Sequence, residues 1–229
     1  MSNTFTVAFK KTFAPFRLKT IGKYNKQPQI NILDVGCGND SCKLTKTWLP
    51  ISQYHGVDKE FWHGNAEDYK DMDKVFYFDL ENELDKSSEI PDNFYDVIIL
   101  SHIIEHVKNG YEVIEALIPK LKVEGIMYIE APHPRTLGYP PAEGFFNFHD
   151  EPTHRMIYDP YNVSRVLLKH DFQIIRAKTR RDWLRLVFFS PIALLINLYY
   201  LPVKRKLFVT GLWDLFGVAF FVVAKKQKL

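Results

Sequence analysis

The stretch INILDVGCG at residues 30–38 is an apolar run that ends in an acid and passes directly into a glycine turn. This order is typical of a buried strand followed by a turn in which the backbone can approach a ligand closely. Apolar runs recur at 54–58, 75–79 and 94–100, and the first two of these also close with Asp. Near-continuous apolar strands that alternate with helices are typical of a parallel sheet covered on both faces, so the pattern predicts an α/β protein.

The second half of the chain continues this alternation. The further elements that we predict are helices at 43–49, 105–121 and 160–170, a turn closed by Gly125, and strands at 126–130, 172–179 and 217–226. We therefore expect a Rossmann-like, doubly wound sheet of seven mostly parallel strands, with an antiparallel last strand.

The composition fits one compact domain. A chain of 229 residues with 46% hydrophobic and 25% charged content excludes a disordered tail, and no internal repeat occurs. Its two cysteines, Cys37 and Cys42, lie five residues apart, and we recognise no secretory signal before them. We expect a cytoplasmic protein without a disulfide framework.

Charge is distributed unevenly along the chain. Formal charge is +6 over residues 1–30, −13 over 31–160 and +10 over 161–229. An acidic centre argues against a broad nucleic-acid groove, and no nucleic-acid partner is expected. Basic ends are compatible with an anionic ligand, with contact at the inner face of a membrane, or simply with solvated surface helices.

Three segments extend the predicted single domain of residues 1–229: a basic extension at 1–29, a lid or acceptor-binding insertion at 131–158, and an apolar helical insertion at 183–206. The last contains 18 consecutive uncharged residues, 186–203, between clusters of Lys and Arg. This length just permits a membrane span, although two prolines interrupt it. An interfacial segment, a lid and a dimer surface are the alternatives.

The residues that follow the strands are the candidates for ligand binding, because ligands of open parallel sheets bind at the carboxyl ends of the strands. Gly36 and Gly38 permit a close approach of the backbone, and Asp34 would anchor their turn. Asp58 stands where a carboxylate can accept both hydroxyls of a ribose, and Asp79 could accept from an adenine amine. Helix capping is the alternative for any one of these acids.

These motifs resemble the class I S-adenosylmethionine (SAM)-dependent methyltransferases, particularly small methyltransferase-domain proteins of metabolism and envelope biosynthesis. The resemblance covers residues 30–132 and rests on 33–38, on Asp58, on 78–80 and on 95–107. It implies SAM as cofactor, S-adenosylhomocysteine as product, and the following binding residues: Asp34, Gly36, Cys37, Gly38, Asp58, Lys59, Asp79, Leu80, Ser101 and His102.

The glycine motif departs from related patterns at two positions. Asp40 replaces the third glycine of the family's triplet, which affects how closely the next helix can start. Ser41 stands where the third glycine of a dinucleotide-binding motif would fall, so a nicotinamide-dependent oxidoreductase is disfavoured.

Transfer of a methyl group to a hydroxyl requires a base close to the acceptor. His149 and His154, with acids between them, are our first candidates, and His106 is a third. The segment around His149 resembles a stretch in sugar and polysaccharide methyltransferases. These two histidines could also hold a metal or fix the lid, but no HExxH spacing occurs and no metal is expected.

The sequence therefore predicts an enzyme that O-methylates a sugar or glycan precursor in envelope or surface-polysaccharide biosynthesis. The alternatives are methylation of a membrane-associated acceptor such as a quinone precursor or lipid, and a non-catalytic SAM-fold binding protein. A homo-oligomer is also possible. Contacts to the acceptor are expected from two basic residues and an aromatic group: Arg135, Arg155, Tyr139, Phe145, Phe146, Phe148 and Tyr158.

Overall fold

A computed structural model describes residues 14–38, 40–59, 70–141, 146–200 and 212–228. Its strands form one seven-stranded sheet in the order β3-β2-β1-β4-β5-β7-β6. The strands are β1 (Ile30–Val35), β2 (Ile51–Asp58), β3 (Lys74–Tyr77), β4 (Tyr95–Ser101), β5 (Leu121–Pro132), β6 (Phe172–Thr179) and β7 (Ala219–Lys226). All neighbours pair in parallel except β7, which runs antiparallel to β5 and to β6. The predicted fold class is confirmed.

Helices cover both faces of the sheet. They are α1 (Phe16–Tyr24), α2 (Ser41–Trp48), α3 (Gly110–Leu117), α4 (Pro160–Lys169), α5 (Ser190–Tyr200) and α6 (Leu212–Phe216). Apolar residues of α3 and α4 pack on one face, and those of α1 and α2 pack on the other. The part of the basic extension that the structure describes thus contributes a helix to the core.

The prediction of a single helix at 105–121 is wrong. A 3₁₀ turn at Ile104–His106 is followed by α3 and by a second 3₁₀ turn at Ile118–Lys120. Two tertiary contacts impose the break: the Asn109 amide donates to the carbonyl of Leu80 (3.0 Å), and the Tyr158 hydroxyl accepts from Gly110 N–H (2.8 Å).

The sequence predicts that Gly125 closes a turn before β5. In the structure, Gly125 instead lies within this strand. Tyr95 pairs with Leu121 and Val97 pairs with Ile126, so residues 122–125 form a bulge opposite Asp96. The Asp96 carboxylate accepts a hydrogen bond from Lys122 Nζ at 2.9 Å, and this contact connects the bulge to β4. A bulge of this kind interrupts the apolar pattern without ending the strand.

The two predicted insertions differ in how far they are independent of the sheet. Residues 131 and 132 of the lid segment belong to β5, and the segment then forms 3₁₀ turns at Pro134–Gly138 and Phe148–Asp150. In the apolar segment, a π turn at Arg185–Phe189 leads into α5; residues 201–206 lie outside the described ranges. Of the helices in the described ranges, none is long and apolar enough to cross a membrane.

Candidate active site

The carboxyl ends of β1, β2 and β4 border a cleft of about 850 Å³. It lies where the strand order reverses between β1 and β4, the place at which open α/β sheets bind ligands. Its walls include seven of the ten predicted cofactor-binding residues: Gly36, Gly38, Asp58, Lys59, Asp79, Leu80 and His102.

The glycine turn is closed on one side and open on the other. Gly36 has φ +68°, and a Cβ atom there would lie 2.5 Å from Ile103 Cδ1. Gly38 has φ +49°, and a Cβ atom there would meet no described atom within 4 Å. Asp40 adopts the same left-handed conformation (φ +61°), so α2 still begins at once although the third glycine is absent. The turn leaves a cradle into which a ligand can approach the backbone.

Asp34 supports this turn from below and does not line the cleft. Its carboxylate is buried and accepts from the Ser41 and Tyr54 hydroxyls, both at 2.5 Å. Burial and the charge of Asp34 hold the pKa of Tyr54 well above its usual value. Asp34 therefore acts on the cleft by fixing the start of α2 against β2.

Cys37 and Ser101 also lie outside the walls of the cleft. Cys37 is buried, its Sγ atom lies 3.9 Å from Asp58 Oδ2, and burial raises the pKa of its thiol. Ser101 ends β4 and pairs with Glu130 of β5. Contacts of Asp34, Cys37 and Ser101 with a cofactor stay predictions.

Backbone amides orient Asp58 at the wall of the cleft. Oδ1 accepts from Lys59 N–H (2.8 Å), and Oδ2 accepts from Gly38 N–H (3.0 Å). The carboxylate is thereby fixed at the end of β2, beside the glycine turn, where it can accept hydroxyl groups of a bound ribose. An adenosine-bearing ligand thus fits the residues present.

Asp79 serves as a turn cap and as part of the same wall. It accepts from Asn82 Nδ2 (2.9 Å) and Glu81 N–H (2.8 Å), and Lys59 Nζ lies 3.1 Å away. The Asn82 and Glu81 hydrogen bonds and the lysine charge lower the pKa of Asp79 to about 2. Capping and ligand binding, posed as alternatives from the sequence, are compatible at this position.

A second cavity, of about 280 Å³, adjoins the first. Its walls come from four separated segments, at 102–106, 132–136, 146–154 and 213–218. Five apolar residues form much of the lining: Pro132, Phe146, Phe148, Trp213 and Val218. The two cavities share His102, His106 and Glu151, so they meet at these residues.

His102 is held between two buried carboxylates at this shared wall. Its Nδ1 lies 3.0 Å from Glu105 Oε1, and its Nε2 lies 3.3 Å from Glu130 Oε1. Burial opposes the charge of the ring, but these two hydrogen bonds raise the pKa of His102 to about 10. Each ring nitrogen faces an oxygen of an ionised carboxylate, which can only accept, so the geometry favours the protonated ring over a free base.

Glu130 connects His102 to the end of β6. Burial disfavours its charge, yet Arg180, with Nε 3.3 Å from Oε1, and His102 lower the pKa of Glu130 to about 2. Tyr128 donates a hydrogen bond to the same carboxylate. This buried ionic network fixes the shared wall on the sheet.

Two predicted bases, His106 and His154, lie together on the second cavity. His154 Nδ1 lies 2.7 Å from the Phe148 carbonyl, and His106 Nδ1 lies 3.0 Å from Thr153 Oγ1. The ring centroids of the two histidines are 5.1 Å apart. Ligand atoms of these histidines and of Glu105 lie within 4.8 Å of one another.

His149 lies apart from this group. It is exposed, lines neither cavity, and contacts Phe148 edge-on with ring centroids 5.5 Å apart. Its role as base stays a prediction that no contact supports.

The predicted acceptor-binding residues separate in the structure. Phe146 and Phe148 line the second cavity, whereas Arg155 lines the first. Tyr158 is a core residue, because its hydroxyl is buried between Val107 O and Gly110 N–H. The others lie away from both cavities or outside the described ranges: Arg135 binds Thr179, Tyr139 binds the Phe216 carbonyl, and Phe145 is not described.

Sequence reasoning did not single out Glu105, Glu130 or Trp213 as site residues. Glu130 closes an apolar strand as Asp34 and Asp58 do, and this signal could have found it. Trp213 carries no such signal. It precedes β7 in the chain, and it reaches the second cavity only because β7 runs antiparallel to β5.

Comparison with known proteins agrees with this geometry. The family described as "Methyltransferase domain" has a sequence profile that matches residues 10–177. Curated relatives include ubiquinone biosynthesis O-methyltransferases from Rickettsia bellii and Rickettsia canadensis, 30% and 29% identical over 122 residues. These alignments cover 50% of this chain and 49% and 50% of the relatives, so the chain spans about half the length of the curated relatives it matches.

Solved structures of similar fold include two SAM-dependent methyltransferases. The Archaeoglobus fulgidus protein is 21% identical, with a TM-score of 0.57 over 96% of this chain and 94% of its own. The Mesorhizobium loti protein is 13% identical, with a TM-score of 0.59 over 91% and 96%. The cyclase SpnF is 15% identical, with a TM-score of 0.59 over 92% and 80%. Identities this low establish the fold alone, since one fold hosts many reactions.

Proposed function

This chain belongs to the class I SAM-dependent methyltransferases, and from that premise we propose that it transfers the methyl group of SAM to a hydroxyl oxygen. SAM, when bound, supplies a methyl group on a sulfonium. The O–CH₃ bond forms as the C–S bond breaks and leaves its electron pair on sulfur, and the hydroxyl proton passes to solvent water. The single observation that carries the proposal is the wall shared by two adjoining cavities.

The larger cavity is proposed to hold the cofactor. Gly36 and Gly38 supply the turn that receives its amino-acid end, Asp58 accepts from its ribose, and the segment from Asp79 to Leu80 borders its adenine. Their positions around one cleft support these roles. Because transfer is in line, the methyl group has to point toward the wall that the two cavities share, at His102 and His106.

The smaller cavity is proposed to hold the acceptor. Its aromatic and apolar lining favours an apolar ring over a sugar, whose many hydroxyls need polar partners. Of the acceptors that the sequence predicts, the membrane-associated quinone precursor is therefore the one we propose. The names of the Rickettsia relatives fit this acceptor, whereas nothing in the cavity specifically favours a glycan.

The apolar helix beside this cavity supports a membrane-resident acceptor. Ala193 of α5 packs with Phe146, Leu212 and Val218, which links the helix to the lining of the cavity. The opposite side of the segment exposes large apolar side chains: Trp183, Val187, Phe188, Phe189, Ile192, Leu194, Leu195, Leu198 and Tyr199. We propose that this surface lies on an anionic membrane and that Arg181 and Arg185 contribute electrostatic attraction.

Calorimetry with S-adenosylhomocysteine, with NAD as control ligand, tests the cofactor. Micromolar binding of the first compound alone is the expected result. A folded protein that binds neither compound would favour the non-catalytic alternative. Transfer of radiolabelled methyl from SAM to a polyprenylated phenol, compared with nucleotide sugars, then tests the acceptor; methylation of only the sugars would overturn the quinone-precursor proposal.

Sedimentation with anionic liposomes tests membrane contact. Leu195→Asp with Leu198→Asp should abolish co-sedimentation, because 67% and 71% of these residues' surfaces are exposed on α5. Leu168→Asp is the matched control, since Leu168 is 55% exposed on α4, away from this surface. Equal binding of both variants would contradict the proposed surface.

A further inference from the structure

We propose that Glu105, His106 and His154 bind a divalent transition-metal ion, with Zn²⁺ as the reference ion, at the floor of the second cavity. Ion binding is inferred from the side chains alone, and the role of the ion rests on the proposed function. No metal is expected from the sequence, in which no HExxH spacing occurs. Folding of 146–154 onto the turn after β4 brings their ligand atoms within 4.8 Å of Glu105.

The unused oxygen of Glu105 is the first argument. Glu105 is only 1% exposed and lies on the wall of the cavity. Its Oε1 lies 3.0 Å from His102 Nδ1, whereas Oε2 is buried and has no hydrogen-bond partner among the described residues. A buried carboxylate oxygen without a partner is costly, and a bound cation would compensate that cost.

The orientation of the two histidines is the second argument. His154 Nδ1 has the Phe148 carbonyl, which can only accept, at 2.7 Å, so this nitrogen carries the proton and Nε2 is the ligand atom. His106 Nδ1 faces two oxygens of Thr153, Oγ1 at 3.0 Å and the carbonyl at 3.3 Å. Metal-binding histidines typically donate their other nitrogen to such an oxygen, which fixes tautomer and ring orientation.

A carboxylate behind His106 completes the arrangement. Thr153 Oγ1 lies 3.0 Å from Glu151 Oε1, so the hydroxyl can donate to Glu151 while it accepts from His106. This chain of carboxylate, hydroxyl and imidazole resembles the outer-shell partners that raise the basicity of a ligand. Two imidazoles and one carboxylate favour Zn²⁺ and similar ions over Mg²⁺ or Ca²⁺.

Three protein ligands leave a coordination position for the acceptor. A bound ion would lower the pKa of the acceptor hydroxyl, so that its proton could pass to solvent water and no histidine would have to act as general base. We therefore assign His106 and His154 as ligands in place of the base role that the sequence predicts for them. The acceptor class that fits is a phenol, whose oxygen can bind the ion while its ring contacts Phe148 and Trp213.

Metal binding is tested by titrating the chelator-stripped full chain with Zn²⁺, and with Co²⁺ for its absorption spectrum. One ion per chain should bind, and His154→Ala and Glu105→Gln should each weaken binding by at least the ~10–100-fold that loss of an outer-shell partner costs. Thr153→Val should weaken it by about tenfold. His149→Ala is the matched control in the same segment and should bind the ion like the unchanged protein.

Two controls separate this site from folding defects and from the proposed function. Each variant is included only if it binds S-adenosylhomocysteine within about threefold of the unchanged protein, since that ligand occupies the other cavity. Ion binding with the expected variant pattern but without methyl transfer would retain the site and overturn the function. Methyl transfer by a chain that binds no ion, or equal ion affinity in His154→Ala, would overturn the site.

Discussion

The two adjoining cavities are built in different ways. The larger one is formed mainly by strand ends and the turns that follow them within residues 36–107, and backbone N–H groups orient its key carboxylate. The smaller one joins side chains of four segments that are distant in sequence. A site formed by the backbone of consecutive residues can therefore be identified from a short sequence motif. A site formed by side chains from distant segments cannot.

Replacement of Gly36 by Ala should have the largest effect on the larger cavity. The added Cβ would meet Ile103 at 2.5 Å, and φ is +68°, so strain and overpacking together should cost about 2–4 kcal/mol of unfolding free energy. Denaturant unfolding measures this loss. Gly38→Ala is the control, because its Cβ meets no described atom, and should cost only about 1 kcal/mol. Equal losses of unfolding free energy in the two variants would contradict the close packing of Gly36 and the open space at Gly38.

Replacement of His154 by Ala should affect the smaller cavity alone. Turnover should fall by roughly a hundredfold or more, about 2.7 kcal/mol in transition-state free energy, because deprotonation of the acceptor fails. Affinity for S-adenosylhomocysteine should stay within about twofold, which calorimetry checks. Comparable loss of cofactor affinity would mean that the cavities are not separate sites. His149→Ala, on the exposed side of the same segment, should retain turnover.

Asp58→Ala should weaken S-adenosylhomocysteine by about 1–3 kcal/mol, because charge-assisted hydrogen bonds to the ribose are lost. Calorimetry measures the change directly. Asp73→Ala serves as comparison, since Asp73 also accepts a backbone N–H, that of Tyr54 at 2.8 Å, but lines neither cavity. Unchanged affinity in Asp58→Ala would mean that the proposed cofactor orientation is wrong.

The smallest effect is expected at Lys59. Its Nζ pairs with Asp79 at 3.1 Å, but 68% of the lysine side chain is exposed, so solvent screens the pair. Lys59→Ala should weaken S-adenosylhomocysteine by no more than about fivefold, and added salt should remove the difference. A salt-independent loss beyond tenfold would instead place Lys59 in direct contact with the cofactor. Lys86→Ala, which breaks the exposed pair with Glu83, is the control.

Local pattern predicted the fold well but not its interruptions. The inner strands β1, β4 and β7 were predictable because each is an apolar run that the sheet buries almost completely, whereas the edge strands β3 and β6 are only partly buried. The break between Ile104 and Gly110 was not, because Leu80 and Tyr158, distant in sequence, impose it. The bulge at 122–125 likewise depends on the partner strand β4.

Sequence by itself determined most of the sheet, the family and most of the residues that line the larger cavity, because strand burial and a glycine turn are local properties of the chain. Tertiary structure alone placed His102 between two carboxylates, because Glu130 comes from the neighbouring strand. It also separated His154 from His149 and brought Trp213 to the cavity that His154 lines. These outcomes depend on contacts between distant segments, and the energies of such contacts are not encoded in any short stretch of residues.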